Sequence, residues 1–225
     1  THYQKYSDKQ NILFYGLNTK KSSIKITKQK FDSEKLCWEF SLVKDGKKLG
    51  ELISYLLGEY SLSAIAAAVL VALECGVPQA QIKQGIATLK PILHRLQPLK
   101  GNSDILVIDD SYNGNPAGVS EAIKTLSRFK KRRKIYITPG LVETGSAKKI
   151  IHLEIGKQLA NVADLIILIK NSVTPYIAEG LMLAKFPKNQ IIWYDSATKA
   201  HESIGQFTKA GDVILFQNDW PDNYQ

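Results

Sequence analysis

Residues 109–116, Asp-Asp-Ser-Tyr-Asn-Gly-Asn-Pro, bring together side chains able to handle a polar ligand. Asp109 and Asp110 can accept hydrogen bonds from sugar hydroxyls or hold Mg2+ through water. Asn113 and Asn115 can donate to phosphate oxygens and accept from hydroxyls. Such a set suits a nucleotide. Each residue also has a plainer use. Asn115 can cap a following helix, Gly114 can make a turn, and the aspartates can satisfy loop amides. Two adjacent carboxylates gain nothing from capping alone, which favours a ligand for the set as a whole.

The surrounding pattern places this loop where ligands bind. Ile105–Ile108 is an apolar run that reads as the end of a buried strand. Pro116 suits the first turn of a helix, and Val119, Ala122, Ile123 and Leu126 form that helix's inward face. In open α/β sheets ligands sit outside the carboxyl ends of the strands. From about residue 94 short apolar strands alternate with amphipathic helices. Strands are expected at 104–109, 134–138, 165–169, 191–194 and 212–216. Helices are expected near 116–129, 147–162, 173–184 and 197–207. This alternation predicts an α/β fold, a Rossmann-like, doubly wound and mostly parallel sheet.

Upstream the texture differs. "ILFYGL", "SSIKITKQKF" and "KLCWEFSLV" read as strands, with Leu36, Trp38, Phe40 and Leu42 on one face. "DGKK" at 45–48 signals a hairpin turn before "LGELISYLL". Period-two alternation predicts an antiparallel set with one wet face. Two helices follow. In the first, Leu62, Ile65, Ala66, Val69, Leu70 and Leu73 line one side, Ser61 is the expected cap, and Cys75 is expected to pack. Gly76 stops that helix and Pro78 opens the next. Lys90-Pro91 then breaks the helical pattern. The chain thus divides near residue 95, into an incomplete domain over 1–94 and a complete α/β domain over 95–225.

Composition narrows the classes. With 225 residues, 44% hydrophobic and 23% charged, the chain is an ordinary globular protein. No apolar run approaches the roughly 20 residues of a membrane helix, and "THYQKYSDKQ" has no signal-peptide core. Cys37 and Cys75 fit no metal spacing, and the four histidines are scattered, so no protein metal site is expected. A reduced, cytoplasmic setting follows as the expectation. The net charge of +9 raises nucleic acid as a partner. The excess is spread as single lysines, and "KKRRK" at 130–134 reads as a solvated helix end without interleaved aromatics. No nucleic acid is expected.

The segment "HRLQPLKGNSDILVIDDSYNGNPAGVSEAI" (94–123) resembles the opening of the C-terminal domain of Mur ligases. It is most similar to the branch that adds D-alanyl-D-alanine, whose pattern is Gly-Arg-Met or similar followed by Asp-Asp-Ser-Tyr-Asn-Ala-Asn-Pro. "TPGLVETG" (138–145), "HLEIG" (152–156) and "GDVILF" (211–216) resemble later family segments in the same order. "FYGL" (14–17) and residues 58–92 resemble the end of the family's central ATPase domain.

The resemblance implies an ATP-dependent amide-bond ligase of peptidoglycan precursor synthesis. In that family ATP, with Mg2+, converts a carboxylate to an acyl phosphate that an amine then attacks. The partners implied are a UDP-muramoyl peptide and an amino acid or dipeptide, and a protein partner is possible. By motif, Arg95 should approach the ATP phosphates or ribose, offering its planar donor fork. Asp110, with Asp109 as second choice, should bind the ribose. Asn113 should lie near the nucleotide, and Asn115 and Tyr112 near the incoming substrate. Tyr112 can also be a packing residue. Glu143 and His152 match the pattern and read as structural.

Three departures accompany the match. The phosphate loop Gly-x-x-x-x-Gly-Lys-Thr/Ser does not occur in these residues, so this stretch alone is expected to be inactive and reads as the C-terminal half of a larger enzyme. "GEYSLSA" (58–64) stands where the family has Gly-x-His-Asn-x-x-Asn. "QNDWPDNYQ" (217–225) replaces a Lys-Gly-Ser-Arg-like loop and offers Asp219 and Asp222 in place of cations. An alternative reading is therefore a degenerate or partner-dependent Mur-like domain that binds nucleotide or protein without ligating.

Overall fold

A computed structural model describes residues 13–16, 22–100 and 103–217. The N-terminal decapeptide and the tail beyond Gln217, including Asp219 and Asp222, lie outside the described residues. The chain forms two compact units, Thr1–Lys90 and Pro91–Gln225.

The first unit carries a four-stranded sheet of β1 (Tyr15–Gly16), β2 (Ile24–Asp32), β3 (Cys37–Lys44) and β4 (Lys47–Ser54), in that order. β2, β3 and β4 pair antiparallel, as the alternation predicts, whereas β1 runs parallel to β2. Asp45 and Gly46 both have positive φ (49° and 76°). That is the two-residue turn whose twist matches a hairpin. The β2–β3 register slips between Thr27 and Lys30 at the left-handed Lys28. Helices α1 (Tyr60–Glu74) and α2 (Gln79–Ala87) complete the unit. Leu62, Ile65, Ala66, Val69 and Leu70 of α1 join Ile24, Trp38, Phe40, Leu42 and Leu52 in its core. Trp38 satisfies its buried Nε1–H on the Leu57 carbonyl at 2.9 Å.

Two expectations at α1 need correction. Ser61 is not its cap. It lies inside the first turn, and its buried hydroxyl donates back to the Gly58 carbonyl at 2.6 Å. Cys75 is exposed, because it sits at the helix end where the chain turns away. Gly76 (φ 76°) stops the helix through Gly76 N–H to Leu73 O and Val77 N–H to Ala72 O, the paired bonds of a left-handed stop.

The second unit is a six-stranded sheet in the order β5-β6-β10-β7-β8-β9. Its strands are β5 (Gln97–Lys100), β6 (Leu106–Asp110), β7 (Arg133–Thr138), β8 (Leu165–Ile169), β9 (Ile191–Tyr194) and β10 (Asp212–Gln217). All pairs are parallel except β5 with β6. Helices α3 (Pro116–Ser127), α4 (Lys148–Ala160) and α5 (Thr174–Leu183) pack in series. Ala200 of α6 (Ala197–Glu202), with Ile204 and Phe207 of α7 (Ile204–Phe207), packs on a separate core formed by Ile135, Ile137, Ile167, Ile169 and Ile214. The sheet is therefore covered on both faces, as a doubly wound fold requires. The single helix expected over 197–207 is broken at Ser203 into α6 and α7.

β5 is the element absent from the sequence pattern. It contains Pro98, which has no N–H to donate, and it stands at the edge of the sheet where none is needed on the outer side.

The basic run at 130–134 is also more than a solvated stretch. Arg132 bonds Asp104 at 2.8 Å, Lys134 bonds Asp164 at 2.9 Å, and Arg133 holds the buried Asp212 through two hydrogen bonds. Only Lys130 and Lys131 of the run are exposed. These pairs lie at the amino ends of β7 and β10, opposite the end where the candidate site forms.

Candidate functional site

The carboxyl end of β6 and the turn before β5 lock together. β5 lies antiparallel to β6 with Gln97 opposite Asp109, so residues 94–96 fall beside residues 109–112. Asp109 Oδ1 accepts the Ser111 amide at 3.1 Å, and Oδ2 stands 2.7 Å from His94 Nδ1. Asp110 Oδ1 accepts the Leu96 amide at 3.1 Å. The Tyr112 amide donates to the His94 carbonyl at 3.2 Å, and the His94 amide donates to Gln97 Oε1 at 3.1 Å.

Both His94 (φ 60°) and Leu96 (φ 42°) are left-handed. Neither is glycine, and such backbone persists only where its surroundings over-determine it. Here the bonds just named do that. The arrangement presents Arg95 on the crest of the turn. Its guanidinium lies 4.9 Å from the Tyr112 ring centroid and donates to the Asn113 carbonyl.

Charge follows from burial. Asp110 is half-buried, and desolvation pushes its carboxyl above the ordinary range. The Leu96 amide and the Arg95 guanidinium pull the other way, while Asp109 adds to the rise. Beneath it, Gln217 pairs with Asp110 in the β10–β6 register and accepts at Oε1 from Thr138 Oγ1 at 2.8 Å and Tyr136 O–H at 3.3 Å. Burial holds the Tyr136 phenol well above its usual range.

The structure thus brings Arg95, Asp109, Asp110, Tyr112 and Asn113 into one cluster. Asn113 and Tyr112 have exposed side chains. Asn115 caps α3, its Oδ1 accepting from the Gly118 amide at 2.9 Å, which is the plainer of its two expected uses. His94, Gln97 and the left-handed Leu96 were not anticipated. Their partners become visible only once β5 is paired with β6, and Pro98 hides that strand.

A second opening lies at the carboxyl ends of β7 and β8. It is a cleft of about 420 Å3 lined by Leu141, Glu143, Gly145, Lys148, Asn171 and Val173. Its wall, residues 139–141, is held from beneath. Asn171 Nδ2 donates to the Pro139 carbonyl at 2.5 Å, the Gly140 amide donates to Thr138 Oγ1 at 2.9 Å, and the Leu141 amide donates to His152 Nε2 at 2.9 Å. His152 is fully buried, and its Nδ1 donates to the Lys148 carbonyl at 2.6 Å. One nitrogen faces an acceptor and the other a donor, so the ring is neutral. Burial lowers its pKa accordingly, against the pull of the Lys148 carbonyl.

A model of the Mur ligase glutamate ligase domain matches residues 94–217, more than half of the chain. The chain belongs to the Mur ligase family. It is 24% identical over 163 residues to UDP-N-acetylmuramoyl-tripeptide–D-alanyl-D-alanine ligase of Bacillus subtilis, covering 72% of this chain and 35% of that protein. The Buchnera aphidicola enzyme of the same name is 31% identical over 106 residues, 47% of this chain and 23% of that one. The chain therefore spans 35% or less of the length of these curated relatives. The MurF ligase of Thermotoga maritima, solved in complex with ADP, superposes with a TM-score of 0.72 at 20% identity over 88% of this chain and 43% of that one. That likeness establishes the fold.

Proposed function

We propose that the chain is the C-terminal portion of an ATP-dependent amide-bond ligase of peptidoglycan precursor synthesis. It would comprise the end of a central ATPase domain and the ligase domain that follows, and would act in the cytoplasm. ATP, when bound, supplies the phosphoryl group that activates a carboxylate for attack by an amine. The observation that carries the reading is the interlocked pair of turns, 94–97 and 109–113, at the carboxyl end of β6. It holds Arg95 ready for an anion and leaves Asn113 exposed beside it.

The residues fit a nucleotide. Arg95 would contact phosphate or ribose oxygens through its fork. Asp110, and after it Asp109, would take the ribose hydroxyls, and Asn113 would bond the nucleotide. No group of three or more metal-ligating side chains that could hold an ion occurs among the described residues. Mg2+ would therefore arrive on the nucleotide's phosphates. Tyr112 would face the amine substrate, and Asn115, whose Oδ1 is held by the Gly118 amide, could offer it only the Nδ2 end of its carboxamide. The cleft beside Lys148 and Asn171 is a further place for its carboxylate.

The test is a ligase assay on the full-length protein with UDP-muramoyl tripeptide and D-alanyl-D-alanine, reading phosphate release. Release that depends on both substrates supports the reading. None with any amine, alongside intact nucleotide binding, favours the second reading, a Mur-like binding domain without ligase activity. That second reading draws on the start of α1, where Ser61 is buried and spends its hydroxyl on Gly58.

A further inference from the structure

His94 is the residue of the cluster that neither the sequence motif nor the family match assigns a role. Its backbone is left-handed, its amide is held by Gln97 and its carbonyl by Tyr112. Its Nδ1 stands 2.7 Å from Asp109 Oδ2. The Asp109 side chain is 15% exposed, whereas that of His94 is 53% exposed. An ionised carboxylate only accepts, so Asp109 fixes the imidazole proton on Nδ1. Nε2 is then the lone-pair nitrogen of the neutral ring, on a half-exposed side chain next to Arg95. Asp110, the residue first expected to take sugar hydroxyls, is more deeply placed and has Oδ1 on the Leu96 amide.

We propose that His94 is a specificity-determining residue of the nucleotide site: Asp109 locks the proton on Nδ1, and Nε2 accepts a hydrogen bond from a ribose hydroxyl. This deepens, and rests on, the nucleotide reading above. Strain at position 94 then has a purpose. A left-handed histidine is held in place because its ring is used.

The experiment is a chemical-shift titration of the full-length protein with ADP and with 2′,3′-dideoxy-ADP, at about pH 8. Glycine is favoured at positive φ, so His94→Gly removes the ring while keeping the turn. His94→Asn, which also tolerates this backbone but is too short to reach, is the second variant. The wild-type chain should bind ADP about 2- to 10-fold more tightly than the dideoxy nucleotide, the range of one net hydrogen bond. Both variants should lose the His94 share of that preference, leaving only the part carried by Asp110, while binding the dideoxy nucleotide as before. A role confined to holding the turn would weaken both nucleotides equally and overturn the proposal. An unchanged preference in the variants, with residues 109–113 still responding to ADP, would overturn it and leave the nucleotide reading intact. No response to ADP at 94–97 or 109–113 in the wild-type full-length protein would remove both.

Discussion

Two loops leave the same edge of one sheet and are built on opposite principles. The loop after β6 is held by ionisable side chains that are partly in water, namely Asp109, Asp110, His94 and Arg95. The loop after β7 is held by Thr138, His152 and Asn171, which are neutral, and the first two are buried. A loop locked from beneath by neutral groups is a fixed wall. A loop laced by charged groups at the surface keeps fork, carboxylate and carboxamide within reach of a ligand. The difference also reverses the response to pH, because burial raises the Asp110 pKa and lowers that of His152.

The largest expected effect lies under the neutral wall. Helices α4 and α5 touch backbone to backbone at Gly156 and Gly180. A Cβ on Gly156 would collide with the Ile177 carbonyl oxygen, which cannot move without its helix. Gly156→Ala should cost about 3 kcal/mol by chemical denaturation. It should also loosen the 139–141 wall, which hangs from α4 through His152. An effect under about 1 kcal/mol would mean the helices part easily.

Next comes the latch itself. His152→Leu leaves the Leu141 amide without its acceptor and should cost about 2 kcal/mol. The native imidazole binds its proton less readily than the unfolded one, whose value is near 6.5. Its contribution is fully present above that pH and is lost as pH falls towards the lower native value. Denaturation across this window should therefore show a slope in the wild-type chain that the leucine variant lacks.

The charged loop predicts a different pattern. Arg95→Ala should leave stability within about 0.5 kcal/mol, since the side chain is partly exposed. It should weaken nucleotide binding roughly tenfold, about 1.4 kcal/mol. Equal losses of stability and affinity would recast Arg95 as a structural residue.

The smallest effect is at Asp110. Its native carboxyl keeps its proton to higher pH than the unfolded one, near 3.8. Stability from this group is present below that value and is lost as pH rises through the native value, the reverse of His152. Asp110→Asn keeps an acceptor for the Leu96 amide. It should change stability at neutral pH by less than about 1 kcal/mol, without loss, while reducing affinity for ribonucleotides. A clear destabilisation would show that the charge, rather than the bond, holds the turn.

The parallel sheet was legible because buried strands such as Leu165–Ile169 are continuous apolar runs bounded by helical patterns. The motif at 109–116 was legible as residue types in order. Its internal wiring was not. The bonds from Asp109 and Asp110 reach residues about fifteen positions upstream, across a strand pairing that Pro98 conceals. Helix 197–207 failed as one element because its break at Ser203 leaves the apolar spacing of Ala200, Ile204 and Phe207 intact. The basic run at 130–134 looked solvated because Asp104, Asp164 and Asp212, the acids that pair with it, come from distant parts of the chain.

The most direct test of the account is an ADP titration of the full-length protein followed by backbone amide shifts in both loops. Shifts centred on 94–97 and 109–113, with 139–145 little changed, are the predicted result. Shifts confined to 139–145, or absent from both loops, would contradict it.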